Sequence, residues 1–171
     1  MTLHIRFAVS ADIPNILRFI RELAAFEKEP DAVEANEAML HDALFGETPA
    51  AEALIAERRG EAGAGAAEPI GFALFYSTFS TWTGRRGIWL EDLYVTEEAR
   101  GGGAGAALLE ALAGIALDRG CARFEWAVLD WNRPAVDFYR AKGAEALDEW
   151  TVQRVTRDAL LKLAGRESAQ S

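Results

Sequence analysis

The stretch Val95-Thr96-Glu97-Glu98-Ala99-Arg100-Gly101-Gly102-Gly103-Ala104-Gly105-Ala106-Ala107-Leu108 separates two kinds of sequence. Before it, residues 88–95 are apolar and β-prone. After it, Ala107, Leu108, Leu112, Ile115 and Ala116 recur at helical spacing, so 103–118 reads as a helix. A strand therefore runs into a glycine-rich turn that opens a helix. Glycines let the backbone approach an anion closely, and the unpaired N–H groups of a helix start point towards it. Arg100 adds a permanent charge and a fork of donors. The ligand group this predicts is a phosphate or pyrophosphate. No Lys-Ser/Thr follows the glycines, so the turn is not a Walker motif. Gly120 and Cys121 stand where a dinucleotide-binding fold would carry its ribose-binding acid. A purely structural glycine turn is the competing reading.

Outward from this turn the pattern is mixed. Leu3, Ile5 and Phe7 alternate, giving a strand over 3–7. Ser10, Asp12 and Pro14 form a helix start, with Ser10 expected as the cap. Ile13, Ile16, Leu17, Ile20, Leu23 and Ala24 supply its apolar stripe, which ends near 26–30. A second helix is expected over 34–44, with Ala38, Leu40 and Leu44 inward. Strands follow over 53–57, 70–79 and 88–95. The Gly/Ala-rich stretch 59–69 reads as a flexible hairpin connection. Beyond the central helix come a strand over 122–129, a short helix over 133–140, a strand over 150–155 and a last helical turn over 158–163. The polar tail 166–171 is expected to fray. This order predicts one α/β (α+β) domain over 1–171, built on a mixed sheet.

Composition bounds the function. The chain has 171 residues, half of them apolar, and a formal charge of −9. That length buries an adequate core without disulfides or metal. One cysteine and two histidines leave no disulfide framework and predict no metal site. The acidic balance, without a long basic run, argues against nucleic acid. No run is apolar and long enough for a membrane span, and no signal peptide opens the chain, so a cytoplasmic location is expected. His4 and His41 read as surface residues, and Cys121 as a small hydrophobe.

Two further segments carry chemistry. Trp89-Leu90-Glu91-Asp92-Leu93-Tyr94-Val95 places adjacent acids in an apolar strand, where a carboxylate is costly unless solvated or paired. Strand alternation predicts that only one of them shares the ligand-facing surface, and a structural salt bridge is the plain alternative. In Leu129-Asp130-Trp131-Asn132-Arg133-Pro134-Ala135-Val136-Asp137-Phe138-Tyr139, Asn132 is a plausible helix cap, with Tyr139 more than a turn inside.

With these residues the chain resembles the GNAT superfamily of N-acetyltransferases. The superfamily's pyrophosphate signature, Arg/Gln-x-x-Gly-x-Gly/Ala, matches Arg100-Gly101-Gly102-Gly103-Ala104-Gly105. Within it the chain is similar to the diamine (spermidine/spermine) and thialysine N-acetyltransferases. That likeness rests on Glu22-Leu23-Ala24-Ala25-Phe26-Glu27, Gly71-Phe72-Ala73-Leu74-Phe75-Tyr76, Leu90–Val95 and Trp131–Tyr139. Phe26, Ser80 and Thr151 depart from it, standing where the diamine enzymes carry tyrosine, aspartate and arginine.

The resemblance implies a mostly antiparallel central sheet flanked by helices, with a splayed cleft for acetyl-CoA as cosubstrate. The backbone of Leu93, Tyr94 and Val95 would pair with the pantetheine arm. Arg100, Gly101, Gly102, Gly103, Ala104, Gly105 and Ala106 would hold the pyrophosphate. Asn132, Arg133, Pro134, Ala135 and Tyr139 would line the far side. Tyr139 would protonate the departing thiolate, and Glu91 would act as base through a water. Phe26, Glu27, Glu91, Glu125, Trp126, Ala127 and Glu149 would surround a small cationic amine, a diamine, polyamine or thialysine-like amino acid. A homodimer is implied. The alternatives are a peptide or protein N-acetyltransferase and a non-catalytic acyl-CoA-binding module.

Overall fold

In the computed structural model, which describes residues 1–60 and 66–166, the unit Met1–Ala127 is built on a five-stranded sheet. Its strands are β1 (Thr2–Phe7), β2 (Glu52–Arg59), β3 (Glu68–Ser80), β4 (Arg85–Val95) and β5 (Arg123–Trp126), lying side by side in chain order. The pairings β1–β2, β2–β3 and β3–β4 are antiparallel, and β4–β5 is parallel. This is the mixed, mostly antiparallel sheet that the sequence led us to expect. The antiparallel pairing of β2 with β3 agrees with a hairpin at 59–69, whose centre lies outside the described residues.

Helices α1 (Ile13–Phe26) and α2 (Glu37–Phe45) cover one face. Ile13, Ile16, Leu17 and Phe19 of α1 join Leu40, Leu44, Ala53, Ile55, Phe72 and Tyr94 in one buried cluster. Phe19 stacks on Phe72 with ring centroids 5.7 Å apart. The other face packs under α3 (Ala104–Asp118), through Leu108, Leu109, Leu112 and Ala116. Among the described residues no helix is long and apolar enough to cross a membrane.

Several local expectations fail for identifiable reasons. Ser10 does not cap α1. A 3-10 turn, Ser10–Asp12, intervenes, and the carboxylate of Asp12 accepts the N–H of Val9 at 2.8 Å. Asp12 takes this role because Arg6 holds it with two hydrogen bonds of 2.7 and 2.9 Å. Ala38 is exposed, since it lies across the helix from Leu40 and Leu44. Residues 150–155 form no strand, although Trp150, Thr151, Val152 and Val155 are β-prone. A strand exists only with a partner edge, and none pairs with this segment among the described residues, leaving Trp150, Val152 and Val155 exposed.

Arg6 also donates to Glu57 at 2.9 Å, and Glu57 accepts from Arg59 at 2.7 Å and contacts His4 Nδ1 at 3.2 Å. Both carboxylates are buried. Burial alone would raise them. The hydrogen bonds from Arg6, joined by Val9 N–H at Asp12 and Arg59 at Glu57, outweigh it and hold both below the usual carboxylate range. Their stabilising effect is present above the unfolded carboxylate pKa of about 4 and is lost as pH falls through the lower folded values. Asp12→Asn is expected to cost about 1–3 kcal/mol at neutral pH. The difference from wild type in thermal midpoint should shrink below about pH 4. A difference independent of pH would remove the charge from the argument.

The unit Val128–Ser171 carries α4 (Arg133–Ala141) and α5 (Arg157–Leu163). Asn132 caps α4 as its sequence suggested, accepting the N–H of Ala135 at 3.4 Å, with Pro134 in the first turn. Arg166 donates its N–H to Leu161, and the tail beyond it lies outside the described residues.

Candidate active site

The register between β3 and β4 decides where the adjacent acids point. Leu74 faces Asp92 and Phe75 faces Leu90, so Glu91 is an extra residue, a β-bulge. Strict alternation would send Glu91 and Asp92 to opposite faces; the bulge brings both to the face that carries α1. Glu91 accepts the indole N–H of Trp89 at 2.9 Å and the hydroxyl of Tyr76. Tyr76 and Trp89 are ladder partners on that face. Asp92 is raised to about 6, first by burial and then by the charges of Glu91 and Glu27. Glu27, just past the end of α1, is itself raised by burial. Three carboxylates thus share one end of α1 and one bulge.

The same bulge ends the parallel ladder. β5 pairs with Gly87 to Leu90 only, which is why it is shorter than expected. Past Leu90 the edge of β4 turned towards β5 has no strand partner among the described residues. Leu93, Tyr94 and Val95 lie on this splayed segment. Gly71 opposes Val95, and a Cβ there would lie 2.6 Å from the carbonyl oxygen of Tyr94, so only glycine permits the approach. The ring of Tyr94 is buried against Phe19 and its hydroxyl bonds to Glu22, so its main chain is what remains for a ligand.

The segment then enters the glycine turn. Gly101 and Gly103 adopt left-handed φ values of 78° and 84°, a conformation strained for other residues. Gly103 precedes Ala104 without a side chain to cap α3. The N–H groups of Ala104, Gly105 and Ala106 therefore lack intrahelical acceptors. Arg100 is anchored by its Nε to the carbonyl of Val95 at 3.2 Å. Open space at Gly101 and Gly103, free donors and an adjacent cation are the chemistry a diphosphate requires. The residues fit the phosphate end of acetyl-CoA.

The remaining candidates divide. Glu125 lies beside Trp89 in the ladder, its carboxylate paired with Arg123 at 2.7 Å. Trp126, next in the strand, turns to the opposite face and packs on Phe124. Ala127 follows the last strand residue and is exposed. In the other unit, Asn132, Arg133, Pro134 and Ala135 form the start of α4. Tyr139 lies further along it, its phenol raised by burial. Glu149 sits exposed in a turn. Among the described residues no group of His, Cys, Asp or Glu is placed to hold a metal ion. Tyr76 and Trp89, the donors to Glu91, were not anticipated; the signal available was a pair of acids inside an apolar strand.

The chain is 44% identical over 170 residues to thialysine N-epsilon-acetyltransferase of Bos taurus, covering 95% of this chain and 97% of that protein. It is 38% identical over 166 residues to human spermidine/spermine N(1)-acetyltransferase-like protein 1, covering 95% of this chain but 24% of that longer protein. An integron cassette protein from the mobile metagenome of V. cholerae superposes with a TM-score of 0.76 at 27% identity, over 96% of this chain and 98% of that one. Residues 17–144 match the acetyltransferase (GNAT) family. The chain belongs to that family and is an acetyl-CoA-dependent N-acetyltransferase.

Proposed function

We propose that this enzyme acetylates the primary amine of a small cationic substrate, a thialysine-like amino acid or a short diamine. The observation that carries the reading is the bulge, which sets Glu27, Glu91 and Asp92 together beside the splayed edge of β4. The similarity to a thialysine N-epsilon-acetyltransferase supports an amino-acid substrate. Ser80, where the diamine enzymes carry an aspartate, is buried and accepts the N–H of Thr83 in the β3–β4 turn, which favours a shorter cation over a long polyamine.

Acetyl-CoA supplies an activated acetyl thioester. Arg100 and residues 101–106 hold its diphosphate, and the main chain of Leu93, Tyr94 and Val95 aligns the pantetheine arm. The resemblance assigns Asn132, Arg133, Pro134 and Ala135 to the coenzyme as well. The amine must be neutral to attack, yet with a lysine-like pKa of about 10.4 only roughly one molecule in a thousand is neutral at pH 7.4, a handicap of about 4 kcal/mol. Glu27 and Glu125 attract the ammonium ion, with Trp126, Ala127 and Glu149 completing the surroundings on the strength of the resemblance. The Glu91–Asp92 pair accepts the proton, through a water at Glu91. Tyr139 gives a proton to the leaving sulfur.

This reading makes residues 1–171 one catalytic domain, supported by a family match that crosses the boundary between the two units. It also places the enzyme in the cytoplasm, in keeping with its single cysteine. A homodimer fits the exposed apolar side chains of Trp150, Val152 and Val155. The test is acetyl-CoA turnover against thialysine, ornithine, short diamines, spermine and a peptide. Turnover is expected on the first three; a preference for the peptide would sink the assignment.

A further inference from the structure

Phe26 sits at the end of α1, in the position from which an amine contact was expected. Its ring faces something else. The guanidinium carbon of Arg100 lies 5.1 Å from the Phe26 centroid and 5.7 Å from that of Tyr94. Tyr94 is a fixed wall, buried against Phe19 and bonded through its hydroxyl to Glu22. Arg100 Nε is spent on the carbonyl of Val95 at 3.2 Å. The cation is thus tethered at one atom and lies near two aromatic rings, while its terminal nitrogens make no hydrogen bond among the described residues.

We propose that Phe26 is a positioning residue for the coenzyme: its ring holds the Arg100 guanidinium over the glycine turn, with the terminal nitrogens presented to the diphosphate. This rests on the coenzyme reading above and extends it. An exposed arginine at a turn would otherwise sample many rotamers and lose that freedom on binding. Stacking on an aromatic face restricts the guanidinium beforehand and leaves its donor edge free, because cation–π contact uses the plane and not the N–H groups. The assignment explains why phenylalanine suffices at a site where the diamine enzymes carry tyrosine. A platform needs the ring and not the hydroxyl.

The test is calorimetric titration of CoA into the full-length wild type, Phe26→Leu, Phe26→Tyr, Arg100→Ala and the Phe26→Leu/Arg100→Ala double variant, with amine KM measured alongside. Phe26→Leu should weaken CoA about 2- to 5-fold, the range of an exposed cation–π contact. Phe26→Tyr should restore wild-type affinity, the amine KM should hold, and Phe26→Leu should add nothing once Arg100 is alanine. Unchanged CoA affinity with a raised amine KM would return Phe26 to the substrate side and overturn the assignment. An undiminished effect of Phe26→Leu in the Arg100→Ala background would equally overturn it. No CoA binding by the wild type would instead overturn the coenzyme reading itself, which separates the two failures.

Discussion

Tyr139→Phe is expected to lower kcat by about 10²–10⁴-fold, the range of a positioned general acid, with little change in the Kd of CoA. The phenylalanine keeps the ring that packs on Phe138 at a centroid distance of 5.3 Å. Burial raises the phenol of Tyr139, which keeps it protonated throughout the neutral range. That is the correct state for a donor and the wrong one for a base. A phenol near 10 is a weaker acid than a thiol near 8.5, so complete transfer to a solvated thiolate would run uphill. Burial raises a thiol as well, and a hydrogen bond to the developing anion stabilises it before transfer is complete. The loss should therefore fall on kcat. Wild-type turnover by Tyr139→Phe would exclude the donor role, and a loss confined to CoA affinity would make Tyr139 a coenzyme contact alone.

What was legible in the sequence follows from how local each cause is. The glycine turn could be read because Arg100, the left-handed Gly101 and Gly103, and the helix start are contiguous. Strands β1 to β4 could be read because each is a contiguous apolar, β-prone run bounded by polar or glycine-containing segments. The bulge at Glu91 was not legible, since it is a property of the register between two strands and neither strand specifies it alone. That one register slip overturned the expectation that only one of the two acids shares the ligand-facing surface, and the β5 ladder ends at the same point. Asp12 displaced Ser10 at the start of α1 through Arg6, a contact from a preceding strand that capping rules do not see. The β-prone residues of 150–155 predict a strand for which no partner edge exists among the described residues. The likeness sets Phe26 beside the amine, whereas its contact with Arg100, distant in sequence, is visible only in the fold.

Replacing each acid of the bulge separately distinguishes which of them takes up the proton. Glu91 accepts hydrogen bonds from Trp89 and Tyr76. Asp92 is raised to about 6 by burial and by the nearby charges of Glu91 and Glu27, close to the pH at which a base works best. Wild-type kcat/KM should therefore rise with pH through an inflection near 6, reported by the pair as a unit. Glu91→Gln removes a charge that raises Asp92, so the inflection should move to lower pH while activity falls by less than in Asp92→Asn. Asp92→Asn should abolish the inflection and lower kcat/KM by about 10²–10⁴-fold. The two inflections decide the matter, because loss of shape alone would depress the whole profile without displacing it. If Glu91→Gln erased the inflection and Asp92→Asn left it in place, the proton would belong to Glu91 and its water, and Asp92 would serve only to hold the ammonium ion.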